Sequence, residues 1–217
     1  MDTQFARYQM VTQQVRAWDV LDLRVLAVFD ALPREQFVPE LYRKLAFADM
    51  QIPLPYGQFM MAPKVEGRLL QALDPRPNES ALEIGTGSGF VTACLAKMAG
   101  EVLSVDIFPG FIDAAGKTLK DLGVHNAKLE TRDGTQLDWL TQRFDVIAVT
   151  GSLPTYQDIY ARHLNVGGRL FVITGELPVM EALLITRVSE SAWSRESLFE
   201  TDLPALVNAV RPQQFRF

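Results

Sequence analysis

The stretch Leu82-Glu83-Ile84-Gly85-Thr86-Gly87-Ser88-Gly89-Phe90 decides the fold of this chain. Its apolar start predicts a strand that runs into three glycines at alternate positions, and a helical pattern follows. Glycines allow a tight turn and a close approach of a ligand to the backbone, and free N–H groups at the start of a helix favour a carboxylate or a phosphate. The spacing is GxGxG, which differs from the GxGxxG of nicotinamide enzymes. On its own, such a turn is compatible with many nucleotide-like ligands.

Short apolar runs alternate with helical patterns from Ser80 to Gly175. The predicted strands are Ala81–Ile84, Val102–Asp106, Ala127–Thr131, Asp145–Thr150 and Arg169–Thr174. The predicted helices are Phe90–Met98, Gly110–Leu122 and Thr155–Leu164. Two further strands, Ala182–Val188 and Glu196–Leu203, flank the polar turn Ser189-Glu190-Ser191. Because such alternation is typical of βαβ units, we predict an α/β fold: a Rossmann-like, doubly wound, mainly parallel sheet with a C-terminal antiparallel hairpin.

The first third of the chain has a mainly helical pattern. One apolar stripe of an amphipathic helix is predicted from the spacing of Phe5, Tyr8, Val11 and Val15. Asp22 is a candidate N-cap for a helix that ends at Leu32, and Pro63 opens a helix that runs to about Leu73. The clearest linker is 74–78, which is rich in proline. We therefore predict an N-terminal helical cap over residues 1–77 and a cofactor-binding catalytic domain over residues 78–217.

The composition of the chain excludes several classes of protein. Lys and Arg number 21 against 26 Asp and Glu, a net charge of -5, and the basic residues are not clustered. A nucleic-acid partner is therefore not expected. Cys94 is the single cysteine, so no intramolecular disulfide forms, and no metal-ligand spacing predicts a metal site. The first residues lack the apolar core of a signal peptide, and no window reaches the roughly 18 apolar residues of a membrane span. We predict a cytoplasmic protein without a membrane partner.

Two acidic residues follow predicted strands at positions suited to a nucleoside. Asp106, followed by Ile107, ends the second strand about 20 residues after the glycines, where a carboxylate accepts hydrogen bonds from both ribose hydroxyls. The alternative is a solvated carboxylate that caps the next helix. Asp133 and Gly134 follow the third strand and are placed to meet an adenine amino group. The alternative for this pair is an ordinary Asp-Gly turn.

Several segments together resemble one family along nearly the whole chain. They are Gln13-Gln14-Val15-Arg16, Pro33-Arg34-Glu35-Gln36-Phe37-Val38-Pro39, Ala46-Phe47-Ala48-Asp49, Gly57-Gln58, the glycine run, Phe144-Asp145-Val146-Ile147-Ala148-Val149-Thr150 and Gly167-Gly168-Arg169-Leu170. With them the chain resembles the protein-L-isoaspartate O-methyltransferase family. The resemblance implies a class I methyltransferase fold with a helical cap, S-adenosylmethionine as cofactor, and esterification of L-isoaspartyl residues in damaged proteins.

The resemblance also implies roles for individual residues. Gly85, Gly87 and Gly89 would cradle the methionine end of the cofactor. Asp106 would hold the ribose, and Asp133 with Gly134 the adenine. The cofactor-binding set also includes their neighbours Glu83, Thr86, Ser88 and Ile107. Thr150 would line the pocket after the fourth strand.

The segment 57–63 departs from the family pattern. After Gly-Gln the family continues Thr-Ile/Met-Ser, and the serine hydroxyl lies beside the carboxylate that is methylated. This chain has Phe59, Met60 and Met61 instead, and Gln58 and Ser152 are candidate substitute donors; these five residues are the candidate catalytic set. Phe59, Met60 and Met61 are either core side chains under the cap or a pocket wall for an apolar or planar substrate.

Three functions follow from this departure. The first is methylation of a carboxylate, with protein or peptide isoaspartyl residues as partners. The second is methylation of a small molecule in an apolar pocket. The third is a catalytically silent module that only binds the cofactor. The sequence predicts no oligomeric state.

Overall fold

The computed structural model describes residues 3–211. The described residues leave out 1–2 of the predicted N-terminal segment and 212–217 of the predicted C-terminal domain. Seven strands form the central sheet: β1 (Ser80–Ile84), β2 (Glu101–Asp106), β3 (Ala127–Thr131), β4 (Phe144–Leu153), β5 (Leu164–Glu176), β6 (Val179–Ser189) and β7 (Ala192–Thr201). Their order across the sheet is β3-β2-β1-β4-β5-β6-β7. The first five strands pair in parallel, whereas β6 and β7 are antiparallel. The predicted doubly wound sheet and terminal hairpin are therefore confirmed.

Six α-helices accompany the sheet in the described part of the chain. They are α1 (Thr3–Gln9), α2 (Leu23–Ala31), α3 (Pro63–Leu73), α4 (Phe90–Met98), α5 (Pro109–Asp121) and α6 (Ile159–Arg162). The predicted cap of α2 is present, because the Asp22 carboxylate accepts a hydrogen bond from the Arg24 amide at 2.8 Å. A short antiparallel ladder joins Ile52–Pro53 to Phe59–Met60. Among the described residues, no helix has the length and apolarity needed to cross a membrane.

The predicted helix Thr155–Leu164 is wrong over most of its length. Only Ile159–Arg162 is α-helical. Leu164 leaves the helix and pairs with Phe144 at the start of β5, and the regular ladder resumes at Val146 and Arg169 after a register shift. Burial of Leu164 in the sheet therefore overrides the local helical preference.

The predicted apolar stripe of the first helix is partly wrong. Helix α1 continues into a π-helical turn at Met10–Val15 and a 3-10 turn at Arg16–Trp18. A π turn has more residues per turn than an α-helix, so it rotates the buried face. Val11 and Val15 are buried as predicted, but Phe5 and Tyr8 are more than half exposed.

The N-terminal segment and one face of the sheet share a hydrophobic core. That core contains buried side chains of the N-terminal segment, such as Met10, Val15 and Phe29, together with Val146 and Phe171 of the sheet. It also contains the buried Cys94 of α4. The opposite face of the sheet packs against α6 and the chain between β3 and β4. The division at residue 77 stays a prediction.

Candidate active site

A crevice lies at the carboxyl ends of β1 and β4, where the strand order reverses. Open α/β sheets bind ligands at such a switch point. The pocket holds about 650 Å³ of empty space, including its open mouth, which lies within the range of small-molecule sites. The candidate residues in its lining are Gln58, Phe59, Gly85, Gly87, Asp106, Ile107, Asp133, Gly134 and Thr150. The structure thus brings together residues that the sequence places on four strand ends and one loop.

The glycine turn after β1 has a backbone that side chains would disrupt. Gly85, Gly87 and Gly89 all have positive φ, at 102°, 49° and 83°. A Cβ on Gly85 would lie 2.5 Å from the Thr150 hydroxyl oxygen. That hydroxyl contacts the carbonyl oxygens of Ile84 and Gly85, at 2.9 and 2.5 Å. Thr150 therefore fixes the turn from the neighbouring strand, and α4 begins directly after Gly89.

Asp106 is buried at the end of β2 and is only 7% exposed. One carboxylate oxygen accepts a hydrogen bond from the Gly87 amide at 2.9 Å, and the other accepts one from the Phe108 amide at 3.0 Å. Burial raises the pKa of Asp106, and these backbone hydrogen bonds oppose the rise. Each carboxylate oxygen accepts more than one hydrogen bond, so both retain capacity for ribose hydroxyls. The alternative interpretation of Asp106, a solvated carboxylate that caps the next helix, does not fit this burial.

Asp133 and Gly134 form a turn at the end of β3 that is held by hydrogen bonds and close packing. Asp133 accepts hydrogen bonds from the Thr135 amide (2.9 Å) and hydroxyl (2.7 Å) and from the Asn208 side chain (2.8 Å). Partial burial raises the pKa of Asp133, but these hydrogen bonds outweigh it and hold the pKa below its usual value. Gly134 packs so closely on Ile84 that a Cβ would lie 2.3 Å from its side chain. The turn is thus shaped by its own contacts, and its role toward adenine stays a prediction.

A smaller cleft connects the glycine turn with the segment that departs from the family pattern. It is lined by Gly85, Thr86, Gly87 and Ser88 of the turn, by Phe59, Met60 and Met61, and by the buried Glu66 and Glu83. Phe59 is 41% exposed, whereas Met60 and Met61 are each 4% exposed. The two methionines are thus buried side chains that also line the cleft, and Phe59 is the exposed part of its wall.

The two candidate substitute donors have different surroundings. Ser152 is fully buried, and its hydroxyl donates to the Leu203 carbonyl at 2.7 Å. Its single hydrogen is used there, although Ser152 lines a neighbouring open groove, so its role toward a substrate stays a prediction. The Gln58 amide donates to the Tyr56 carbonyl at 3.2 Å and lines the crevice. An amide group has two N–H donors, which leaves Gln58 one for a ligand.

Polar side chains under the glycine turn form a buried network. Glu83 accepts hydrogen bonds from the hydroxyls of Thr92 and Ser104. The Ser104 hydroxyl also meets the Thr86 hydroxyl at 2.6 Å. Burial raises the pKa of Glu83 to about 8, against the lowering effect of these hydroxyls. Ser88 accepts a hydrogen bond from the Phe90 amide at 3.3 Å, at the first turn of α4.

Sequence reasoning missed several residues of the site. Tyr56, with a positive φ of 60°, stacks on Phe108 at 4.4 Å between ring centroids, and the Phe108 ring lines the crevice. Residues 203–207 form another wall. Buried Arg34 forms an ion pair with buried Glu66 of α3 and donates to the Met61 carbonyl at 2.8 Å. These residues are far apart in sequence from their partners, so no local pattern indicates them.

Two solved structures share this fold. A crystal structure described as a putative protein-L-isoaspartate O-methyltransferase from Plasmodium falciparum, in complex with S-adenosyl-L-homocysteine, has a TM-score of 0.78 and is 19% identical. The alignment covers 95% of this chain and 98% of that one. A second structure, named protein-L-isoaspartate O-methyltransferase, has a TM-score of 0.77 at 20% identity and covers 92% of this chain and 65% of that chain.

Sequence comparison identifies the family to which the chain belongs. The family model described as protein-L-isoaspartate(D-aspartate) O-methyltransferase matches residues 6–196. A protein-L-isoaspartate O-methyltransferase from Rhodopseudomonas palustris is 34% identical over 94% of each chain. Another, from Marinobacter nauticus, is 36% identical over 88% of each. The chain belongs to the protein-L-isoaspartate O-methyltransferase family, and it is an S-adenosylmethionine-dependent methyltransferase.

Proposed function

We propose that this protein methylates the carboxylate of an isoaspartyl residue in a peptide or protein, in the cytoplasm. The observation that carries the proposal is an open groove beside the crevice, which shares Phe59 and residues 203–205 with the crevice lining. The groove is lined by Gln51, Phe59, Leu177, Asp202, Leu203 and Arg211, among others. Because it is open and extends beyond Phe59, it has room for a carboxylate that is attached to a chain. The net charge of -5 does not favour a nucleic-acid substrate.

The residues of the crevice fit S-adenosylmethionine in shape and in the acceptors that they offer. Asp106 would offer acceptors to the ribose, and Asp133 with Gly134 would meet the adenine. The glycine turn lets the methionine end approach the backbone closely, while its Gly85, Thr86 and Gly87 amides already donate within the protein. When bound, the cofactor supplies an electrophilic methyl group on a sulfonium. The protein needs no strong base, because a carboxylate is already ionised at neutral pH. What these residues contribute is position and orientation.

Gln58 is the side-chain donor best placed to orient the substrate carboxylate. Phe59 and Met61 carry no N–H or O–H group, and the Ser152 hydroxyl is used internally. A carboxylate beside Phe59 would lose hydration with few new partners. We therefore expect methylation of isoaspartyl peptides to be slow relative to family members that keep the two hydroxyls.

The proposal is tested by transfer of radiolabelled methyl groups to a synthetic isoaspartyl peptide, with the aspartyl peptide of the same sequence as control. We expect base-labile methyl esters on the isoaspartyl peptide alone. Gln58→Ala should lower the rate further, whereas Gln51→Ala at the far side of the groove should change it less. Cofactor binding without transfer to any acceptor would point instead to a silent module.

A small-molecule methyltransferase is the second candidate. The half-exposed ring of Phe59 lines the crevice, the small cleft and the groove at once. Such a ring suits a planar or apolar acceptor better than an anion. Labelling of a metabolite extract, with no labelling of the isoaspartyl peptide, would favour this function.

A further inference from the structure

Tyr56 has a backbone conformation that few residues other than glycine adopt. Its φ and ψ are 60° and 19°, in the left-handed helical region, where a bulky residue is strained unless its surroundings hold it. It lies in the connection 54–58 of the short hairpin that pairs Ile52–Pro53 with Phe59–Met60. Tyrosine has no short polar side chain that could stabilise this conformation locally, as asparagine and aspartate have. Contacts of the Tyr56 ring are therefore needed to explain it.

The Tyr56 ring is anchored on the start of α5. It stacks on the Phe108 ring at 4.4 Å between centroids, and it meets the Phe111 ring in a T-shaped arrangement at 5.2 Å. Its hydroxyl oxygen lies so close to Gly110 that a Cβ there would be only 2.3 Å away. Because Tyr56 is nevertheless 54% exposed, this anchor is a surface contact and not a part of the hydrophobic core.

The anchored turn directs the side chain of Gln58. The Tyr56 carbonyl accepts a hydrogen bond from the Gln58 side-chain amide at 3.2 Å, and the Gln58 backbone amide donates to the Pro55 carbonyl at 3.2 Å. The direction of the Tyr56 carbonyl follows from its left-handed backbone, which the ring contacts hold. Among the described residues, Gln58 and Phe108 line the crevice, whereas Tyr56 does not. Tyr56 is thus placed to act through its neighbours.

We propose that Tyr56 is a positioning residue for the methyl acceptor: its ring, held by the aromatic residues at the start of α5, sets the direction in which Gln58 presents its free N–H group. In the proposed function, on which this inference rests, that N–H group orients the acceptor carboxylate. Phe59 and Met61 carry no N–H or O–H group on their side chains, so neither replaces a misdirected Gln58.

The test is steady-state methylation of the synthetic isoaspartyl peptide by the full chain, with calorimetric titration of S-adenosylhomocysteine as a separate measure of the cofactor site. Tyr56→Gly removes the ring but tolerates the left-handed backbone. We expect kcat/KM for the peptide to fall about tenfold, the factor for one oriented hydrogen bond. The affinity for S-adenosylhomocysteine should change much less. Tyr56→Phe keeps both ring contacts and should retain the wild-type kcat/KM.

A double-mutant cycle with Gln58 separates positioning from a general structural role. In the Gln58→Ala background no side-chain amide is left to direct, so Tyr56→Gly should cause little further loss of kcat/KM. Such non-additivity is expected of residues that act through one another. If Tyr56 only covered the Phe108 ring, its removal would cost the same in both backgrounds. Thermal unfolding checks that each variant is folded.

Gly110 tests the same contact from the side of α5. Gly110→Ala places a Cβ 2.3 Å from the Tyr56 hydroxyl oxygen but 3.3 Å from the ring carbon that carries it. The ring is displaced as a result, and methylation should fall about as far as in Tyr56→Gly. Adding Tyr56→Phe removes the clashing oxygen and should restore most of the rate. Gly116→Ala in the same helix, where the nearest atom is 3.6 Å from the Cβ, is the matched control.

Three results would overturn the role of Tyr56. They are a wild-type kcat/KM in Tyr56→Gly, an equal loss from that substitution with and without Gln58, and a failure of Tyr56→Phe to rescue Gly110→Ala. The rescue decides the matter if Tyr56→Gly does not fold. A wild type that methylates no isoaspartyl peptide would contradict the proposed function itself, and this inference with it. Because the three results above require an active wild type, the two failures are distinguishable.

Discussion

At the scale of single residues, Asp106 is a buried carboxylate of the cofactor site. It joins the glycine turn to the end of β2 through the amides of Gly87 and Phe108. We expect Asp106→Ala to weaken S-adenosylmethionine binding by about 1–3 kcal/mol, through loss of charge-assisted hydrogen bonds. Asp106→Asn, which keeps one acceptor oxygen, should lose less. Calorimetry measures both, and an unchanged affinity in Asp106→Ala would show that the residue only shapes the turn.

Phe59 is the residue whose replacement should restore the family chemistry most directly. We expect Phe59→Thr to raise isoaspartyl methylation by roughly tenfold, since one recovered contact of about 1.4 kcal/mol changes a rate by that factor. Phe59→Val has the same shape without the hydroxyl and is the control. Steady-state formation of base-labile methyl esters is the measurement. Equal rates for the Thr and Val variants would contradict a role for the hydroxyl.

Met61→Ser is a less direct change, because Met61 is buried. Truncating a buried methionine costs about 2–5 kcal/mol in stability, so the combined Phe59→Thr and Met61→Ser variant should gain up to about a hundredfold in rate only while it remains folded. Its thermal midpoint must be measured beside its activity. Rapid methylation of isoaspartyl peptides by the wild type would contradict the premise of both substitutions, namely that the missing hydroxyls slow the reaction.

At the scale of elements, the glycine turn depends on close packing between β1 and β4. Gly85→Ala places a Cβ 2.5 Å from the Thr150 hydroxyl oxygen, at a φ of 102°. We expect it to destabilise the fold by about 1–3 kcal/mol, from backbone strain of that order, and to abolish measurable cofactor binding. Gly123→Ala, also at positive φ but with no atom within 4 Å of the added Cβ, separates strain from contact. Equal ligand affinity in both variants would contradict the packing argument.

The elements also show which parts of the fold local sequence predicts. The strands around the glycine turn and helix α4 follow from short apolar runs, glycines and helical spacing, so their positions were predictable. The end of the helix at Arg162 and the rotation of the N-terminal helix by its π turn depend on partners elsewhere, such as Phe144 for Leu164. The exposure of Phe59 and the use of the Ser152 hydroxyl by Leu203 likewise depend on tertiary contacts. Residue spacing along the chain therefore does not predict these tertiary features.

At the scale of the whole molecule, the N-terminal segment is expected to need the sheet. Its buried residues Met10, Val15 and Phe29 share one core with Val146 and Phe171. Residues 1–77 expressed alone would expose that apolar surface and should not fold cooperatively. Circular dichroism during heating is the measurement, with the full chain as control. A sharp transition of the isolated segment would show an independent domain.

The stability of the whole protein should fall as pH rises from mildly acidic to mildly alkaline values. Burial raises the pKa of Glu66 to about 7 and that of Glu83 to about 8, above the ordinary value of 4.5. The folded state therefore binds these protons more tightly than the unfolded state. The resulting stabilisation is complete below pH 4.5 and is lost as pH rises through 7 and 8.

Urea unfolding across this pH range tests the effect. Glu83→Gln mimics the uncharged carboxyl at every pH, so its free energy of unfolding should decline less with pH than that of the wild type. Glu101→Gln, on the exposed start of β2, is the matched control and should follow the wild type. A variant curve parallel to the wild-type curve would show that Glu83 does not titrate in this range.

The wall formed by residues 203–207 makes the crevice depend on the chain beyond the sheet. Ser152 donates its amide to the Pro204 carbonyl and its hydroxyl to the Leu203 carbonyl, and its own carbonyl accepts from the Leu206 amide. Leu206 also packs against Gly151, where a Cβ would lie 2.6 Å from the leucine side chain. A polypeptide that stopped at Thr201 could complete all seven strands, yet it would have a crevice open on one side and three unsatisfied polar groups at Ser152. The wall of the crevice is therefore complete only when residues 203–207, which follow the last strand, are in place.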